Sequence, residues 1–152
     1  MSVIVTDRGF AAEDFGAEII PLDAIEGRND IAAVDLPPTA DPLALRDLLP
    51  GLKLIRVAFP AFSDGRGFTV ARRLRAMGYA GRLRAAGHVL ADQYTMARRV
   101  GFDEVEISDD LAARQPADQW AFRTDWKAHD YQSRLRARLA GSAAAPDIVE
   151  GA

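Results

Sequence analysis

Three glycines set the frame of this chain. Gly51, Gly78 and Gly101 each follow a helical stretch and precede an apolar run, 27 and 23 residues apart. That spacing is about the length of one strand-plus-helix unit, so the chain reads as consecutive βα units joined by right-handed crossovers. Gly78 is followed by Tyr79 and Gly101 by Phe102. A glycine in the left-handed region with an apolar residue after it is a common way to end a helix.

Four runs fill the strand positions: 31–36, 53–59, 82–89 and 104–107. The first two are nearly continuous in apolar residues, the pattern of strands covered in a parallel sheet. The prediction is therefore an α/β fold with about four parallel strands, either an open three-layer sheet or a half-barrel-like arrangement. A half barrel leaves one apolar sheet face uncovered. An apolar face there would call for a homodimer, or for the aromatic group Trp120, Phe122, Trp126 and Tyr131 folded across it.

Between the strands, Asp41 is placed to cap a helix with Pro42 at its first position and Leu45, Leu48 and Leu49 on one face. Thr69 is placed to cap a helix carrying Val70, Leu74 and Met77, while Asp92 falls in the first turn of one carrying Met96 and Val100. Ser108-Asp109-Asp110 opens another. Near the start, Val3 to Thr6 and Glu18 to Leu22 are expected to pair as an antiparallel flap. Residues 1–140 form one domain in this reading, and 141–152, small residues around Pro146, a disordered tail.

The chain has no cysteine, which excludes disulfides, thiol nucleophiles and cysteine-ligated clusters. Nineteen basic and 22 acidic residues give a net charge of −3, which argues against nucleic acid as a partner. No apolar run approaches the roughly 20 residues of a membrane span, and the first residues lack the pattern of a secretory leader. A cytoplasmic location with no membrane partner is the expectation.

If the strands are parallel, the loops after them gather at one edge, where open α/β sheets bind ligands. Three loops would meet there: 60–68, 87–92 and 108–110. The first is the most suggestive, with Ser63 and Asp64 for hydrogen bonding, Gly65 and Gly67 for close backbone approach, Arg66 for a forked contact to an anion, and Phe68 contributing its N–H. Arg84 and Asp92 complete the expected ligand-binding set. The competing reading is a tight turn in which Asp64 caps the loop and Arg66 pairs with a neighbouring acid.

The Gly65 to Val70 run lacks the third glycine of a dinucleotide fingerprint and the lysine of a P-loop. No cofactor follows from the residues. Asp64 and His88 are the candidates for acid–base work, His88 because an ordinary imidazole titrates near neutrality. With two histidines and no cysteine a structural zinc site is not expected, and Asp64, Asp92, Asp109 and Asp110 would hold Mg²⁺ only if several converged.

Three runs carry a resemblance: Phe59-Pro-Ala-Phe-Ser-Asp-Gly-Arg-Gly-Phe68, Arg82-Leu-Arg-Ala-Ala-Gly-His-Val-Leu-Ala-Asp-Gln93 and Arg98-Arg-Val-Gly-Phe-Asp103. From about residue 30 to 132 the chain resembles a bacterial domain-of-unknown-function family whose members are commonly labelled probable oxidoreductases involved in sulfite reduction. Genes of that family typically stand beside those for sulfite reductase. The resemblance implies an accessory role in sulfur assimilation, sulfite reductase as a partner and a small anionic ligand, and it supplies no catalytic residues. Where the family's pattern often has aspartate after the glycine, this chain has His88.

Overall fold

The computed structural model describes residues 2–28 and 30–121. Seven strands form one sheet: β1 Ser2–Thr6, β2 Gly9–Ala11, β3 Ile20–Pro21, β4 Ala33–Leu36, β5 Leu54–Phe59, β6 Arg82–Gly87 and β7 Glu104–Ser108. Their order is β2-β1-β7-β6-β5-β4-β3. The strands β3 to β7 are mutually parallel, whereas β1 pairs antiparallel with both β7 and β2. The fold is α/β as expected, with more than the four strands counted from the sequence.

The helices are α1 Arg66–Ala76, α2 Tyr94–Val100, α3 Asp109–Arg114 and α4 Ala117–Ala121. Because β3 to β7 follow one another in space as in sequence, right-handed crossovers must place every helix on the same face. One continuous core bears this out, joining Val34, Ile55, Val57, Leu83 and Val105 of the sheet to Val70, Leu74, Tyr94, Val100 and Leu111 of the helices. The layering is helix on sheet, the half-barrel-like alternative, and a third layer is absent among the described residues.

The glycine joints hold at two of three positions. Gly78 and Gly101 take φ of +98° and +119°, and the residues after them, Tyr79 and Phe102, are buried at 4% and 0% exposure. Gly51 instead ends a 3-10 turn, Leu49–Gly51. Arg75 ties the joints together: its guanidinium donates to the carbonyls of Tyr79, Gly81 and Gly101.

Several local expectations are corrected. The segment after Asp41 forms a 3-10 turn, Pro42–Leu45, rather than an α-helix, although the Asp41 carboxylate does accept the Leu43 N–H at 3.1 Å. The α1 helix begins at Arg66, three residues before Thr69, with Gly65 as its cap. Strand β3 does not join β1 in a flap. It pairs with β4 at the far edge, and β1 finds β2 and β7 instead. Trp120 is fully buried on the helix side, its ring edge-on to Tyr94 at 6.0 Å. Phe122, Trp126, His129, Tyr131 and the expected tail lie outside the described residues.

The second face of the sheet is the largest departure. Alternation puts Arg82 and Arg84 opposite to Leu83 and Ala85, and the register continues the row as Asp35, Arg56, Arg84 and Glu104 across β4 to β7. Glu106 stands two residues further along β7. The face expected to be apolar is thus a lattice of opposite charges. Arg56 pairs with Asp35 and Glu106, Arg82 with Glu104, and Arg84 with both glutamates. Arg84 is 0% exposed.

That face is also crossed by the chain itself. Strands β2 and β3 are consecutive in sequence and occupy opposite edges. Six strand spacings of about 4.8 Å separate them, roughly 29 Å along the sheet. The nine steps from Ala11 to Ile20 reach about 30–32 Å when fully extended. Residues 12–19 therefore cross from edge to edge with little length to spare, and the contacts of Glu13 with Arg84 and of Asp14 with Arg82 place them on the charged face.

Candidate active-edge cleft

The loops after β5, β6 and β7 do gather at the carboxyl edge, and two glutamines stitch them. Gln93 donates from Nε2 to the Phe62 carbonyl at 2.9 Å while its Oε1 accepts the Leu90 N–H at 2.8 Å. Gln115, just past α3, accepts the Ala91 N–H at 2.8 Å. The His88 N–H donates to the Phe59 carbonyl at 2.8 Å. Gly87 is required at this joint, since a Cβ there would stand 2.6 Å from that same carbonyl oxygen.

Between the loops lies a cleft of about 250 Å³ lined by Phe62, Gly87, His88, Ser108, Leu111 and Arg114. The His88 and Phe62 rings meet edge to face at 4.9 Å. Phe62 is 39% exposed, high for a side chain of that size. Ser108 Oγ is engaged, accepting the Leu111 N–H at 3.1 Å as the cap of α3. Arg114 is exposed and has no hydrogen bond or ion pair among the described residues. The cleft thus offers one uncommitted guanidinium, one imidazole and an apolar wall.

The loop that stood out in the sequence is closed on itself. The Asp64 carboxylate accepts the Arg66 N–H at 3.2 Å and both arms of the Arg66 guanidinium, at 2.9 and 2.7 Å. Those bonds hold the Asp64 carboxyl down at about 2. The Phe68 N–H is spent on the Gly65 carbonyl. Gly67 is buried against the Phe59 ring, where a Cβ would stand 2.5 Å from the nearest ring carbon. Ser63 is exposed on the same loop. An external anion at Arg66 would have to compete with a carboxylate two residues away.

The expected set is thus only partly brought together. His88 reaches the cleft; Asp64 and Arg66 face each other and do not line it. Asp92 is exposed in the 3-10 turn Ala91–Gln93. Arg84 sits in the middle of β6 on the charged face, away from the edge loops, with its donors filled by Glu13, Glu104 and Glu106. Phe62, Gln93, Arg114 and Gln115 were missed. An exposed phenylalanine in a polar loop was the one signal for Phe62; the roles of the others depend on which loops meet.

Among the described residues no three histidine or acidic side chains are arranged to hold a metal, and no helix is long and apolar enough to cross a membrane. No curated protein and no solved structure matches the chain significantly. A family profile described as a bacterial protein of unknown function, DUF934, matches residues 33–140. That span starts at the first residue of β4, so all the loops of the cleft fall within it, and the chain belongs to the DUF934 family.

Proposed function

We propose that this protein is an accessory component of assimilatory sulfite reduction that binds a small anion at the carboxyl-edge cleft. The observation that carries the anion site is Arg114, an exposed guanidinium without a partner among the described residues, lining the same 250 Å³ cleft as His88. A guanidinium presents paired N–H groups suited to the two oxygens of an oxyanion, and the imidazole offers a further donor. The pathway rests on the family resemblance of the three quoted runs, including association with sulfite reductase.

Calorimetric titration with sulfite, sulfate and phosphate tests the site. Binding of at least one is expected, weakened about tenfold in Arg114→Ala, a loss of about 1.4 kcal/mol, and little changed in Arg66→Ala. No heat from any of the three would sink the site, and so would equal binding by the Arg114→Ala protein. The pathway is tested separately: a strain lacking the gene should grow poorly on sulfate or sulfite and normally on cysteine. Equal growth on all three removes that half of the proposal.

An acid–base enzyme using Asp64, Arg66 and His88 would need the three side chains in one pocket. The cleft receives His88, while Asp64 is neutralised by Arg66 at 2.7 Å, so the geometry favours binding over that chemistry.

A further inference from the structure

The segment 12–19 has no regular structure, and nearly all its residues are exposed. Among the described residues only two side chains tie it to the sheet by hydrogen bonds, Glu13 on Arg84 and Asp14 on Arg82. The Glu13 contact is a fork: its two carboxylate oxygens take Nη1 and Nη2 of the same guanidinium. The remaining donors of Arg84 belong to the sheet, Nε to Glu104 at 2.6 Å and Nη1 to Glu106 at 2.9 Å.

The charges separate in the same way. Arg56, Arg82 and Arg84 are matched one for one by Asp35, Glu104 and Glu106, all borne on strands. Glu13 and Asp14 are carboxylates added to a lattice that is already neutral. Arg84 therefore accepts an extra anion at the fork edge its sheet partners leave open. Next to this row, a cavity of about 450 Å³ opens at the carboxyl ends of β3 to β5, with Asp35 and Ala58 in one wall and Pro21 to Asp23, the far anchor of the segment, in the other.

We propose that Glu13 is an exchangeable internal ligand of an oxyanion site on the charged sheet face, and that residues 12–19 are the strap that opens when an external small anion replaces it. The ligand class is a small molecule presenting two oxygens on one centre, as carboxylate, sulfite and phosphate do. This site is separate from the edge cleft and does not depend on it. The Glu13 carboxyl, held down at about 2 mainly by its hydrogen bonds from Arg84, stays ionised throughout the neutral range. Exchange is then a competition between two anions, with no proton to be moved.

The test is made in an Arg114→Ala background, which removes the cleft from the measurement. Glu13→Ala protein is titrated separately with sulfite, phosphate and acetate. At least one should bind about tenfold tighter than to the chain that keeps Glu13, and adding Arg84→Lys, which keeps the charge and loses the fork, should abolish the gain. A cooperatively melting Glu13→Ala protein with no gain overturns the proposal, as does a gain that survives Arg84→Lys. If Glu13→Ala does not melt cooperatively, the unaltered chain carries the test. Cleavage within 12–19 by an added protease should be faster in phosphate than in chloride at equal ionic strength, and equal rates overturn the proposal.

Discussion

Arg84→Met is expected to lower stability by roughly 3 kcal/mol, seen as a fall in Tm of about 10 °C. The guanidinium is fully buried, and burial alone would lower its pKa, but the hydrogen bonds it donates to Glu13 and Glu104 outweigh that cost and raise it. Removing it leaves Glu104, whose side chain is 7% exposed, with Arg82 at 2.9 Å as its remaining hydrogen-bonded partner. Glu106 keeps Arg56 at 3.3 Å, which limits the damage. The cost comes from Glu104 Oε2, a buried carboxylate oxygen left without its donor in a lattice now short of one positive charge, more than from the lost attraction. Arg84→Met with Glu104→Gln should accordingly recover a good part of the loss. A single variant melting within about 2 °C of the parent would show the lattice to be dispensable.

Trp120→Ala should cost about 3–5 kcal/mol, the range for truncating a large buried aromatic residue. The ring is fully buried and stands edge-on to Tyr94, and its Nε1 donates to the Gln115 carbonyl at 2.8 Å. Gln115 in turn holds the Ala91 N–H, so the truncation loosens one of the two stitches of the edge cleft. Two readouts follow. Urea denaturation should show the stability loss, and anion binding at the cleft should weaken even under conditions where the variant remains folded. Trp120→Phe, which keeps most of the packing and loses the hydrogen bond, should cost about half as much in stability while still weakening binding. Unimpaired binding in a folded Trp120→Ala protein would disconnect α4 from the cleft.

The parts of this fold that were legible in the sequence are local ones. Gly78 and Gly101 announce their helix ends through the left-handed backbone and the apolar residue that follows, all within two positions. Asp41 and Ser108 carry their caps two and three residues ahead. The β5 and β6 strands read correctly because their length and composition suffice. What could not be read depends on distant pairing. Strand β3 has two residues, too few for any periodic pattern, and its partner is set by where β4 lies.

The charged face was present in the sequence as alternation, Arg82-Leu83-Arg84 and Glu104-Val105-Glu106. Its meaning needs the register that brings Arg84 beside Glu104. The candidate site shows the same division. That Asp64 could close on Arg66 was foreseeable, being a contact of two residues' span. That Phe62, His88 and Arg114 share a cleft is a fact of two loops and the helix α3, and only the parallel order of β5, β6 and β7 makes it so.

The crossing of the sheet by residues 12–19 has a further consequence, for solubility. An open sheet has two edges, each a row of unpaired backbone groups ready to recruit a strand from another molecule. By reaching from one side to the other, residues 9–21 supply the outermost strand at both, among the described residues. On one side it is β2, three residues long; on the other it is β3, two residues long and ending in Pro21, which has no N–H to offer. One short stretch of chain thus blunts both ends of a seven-stranded sheet.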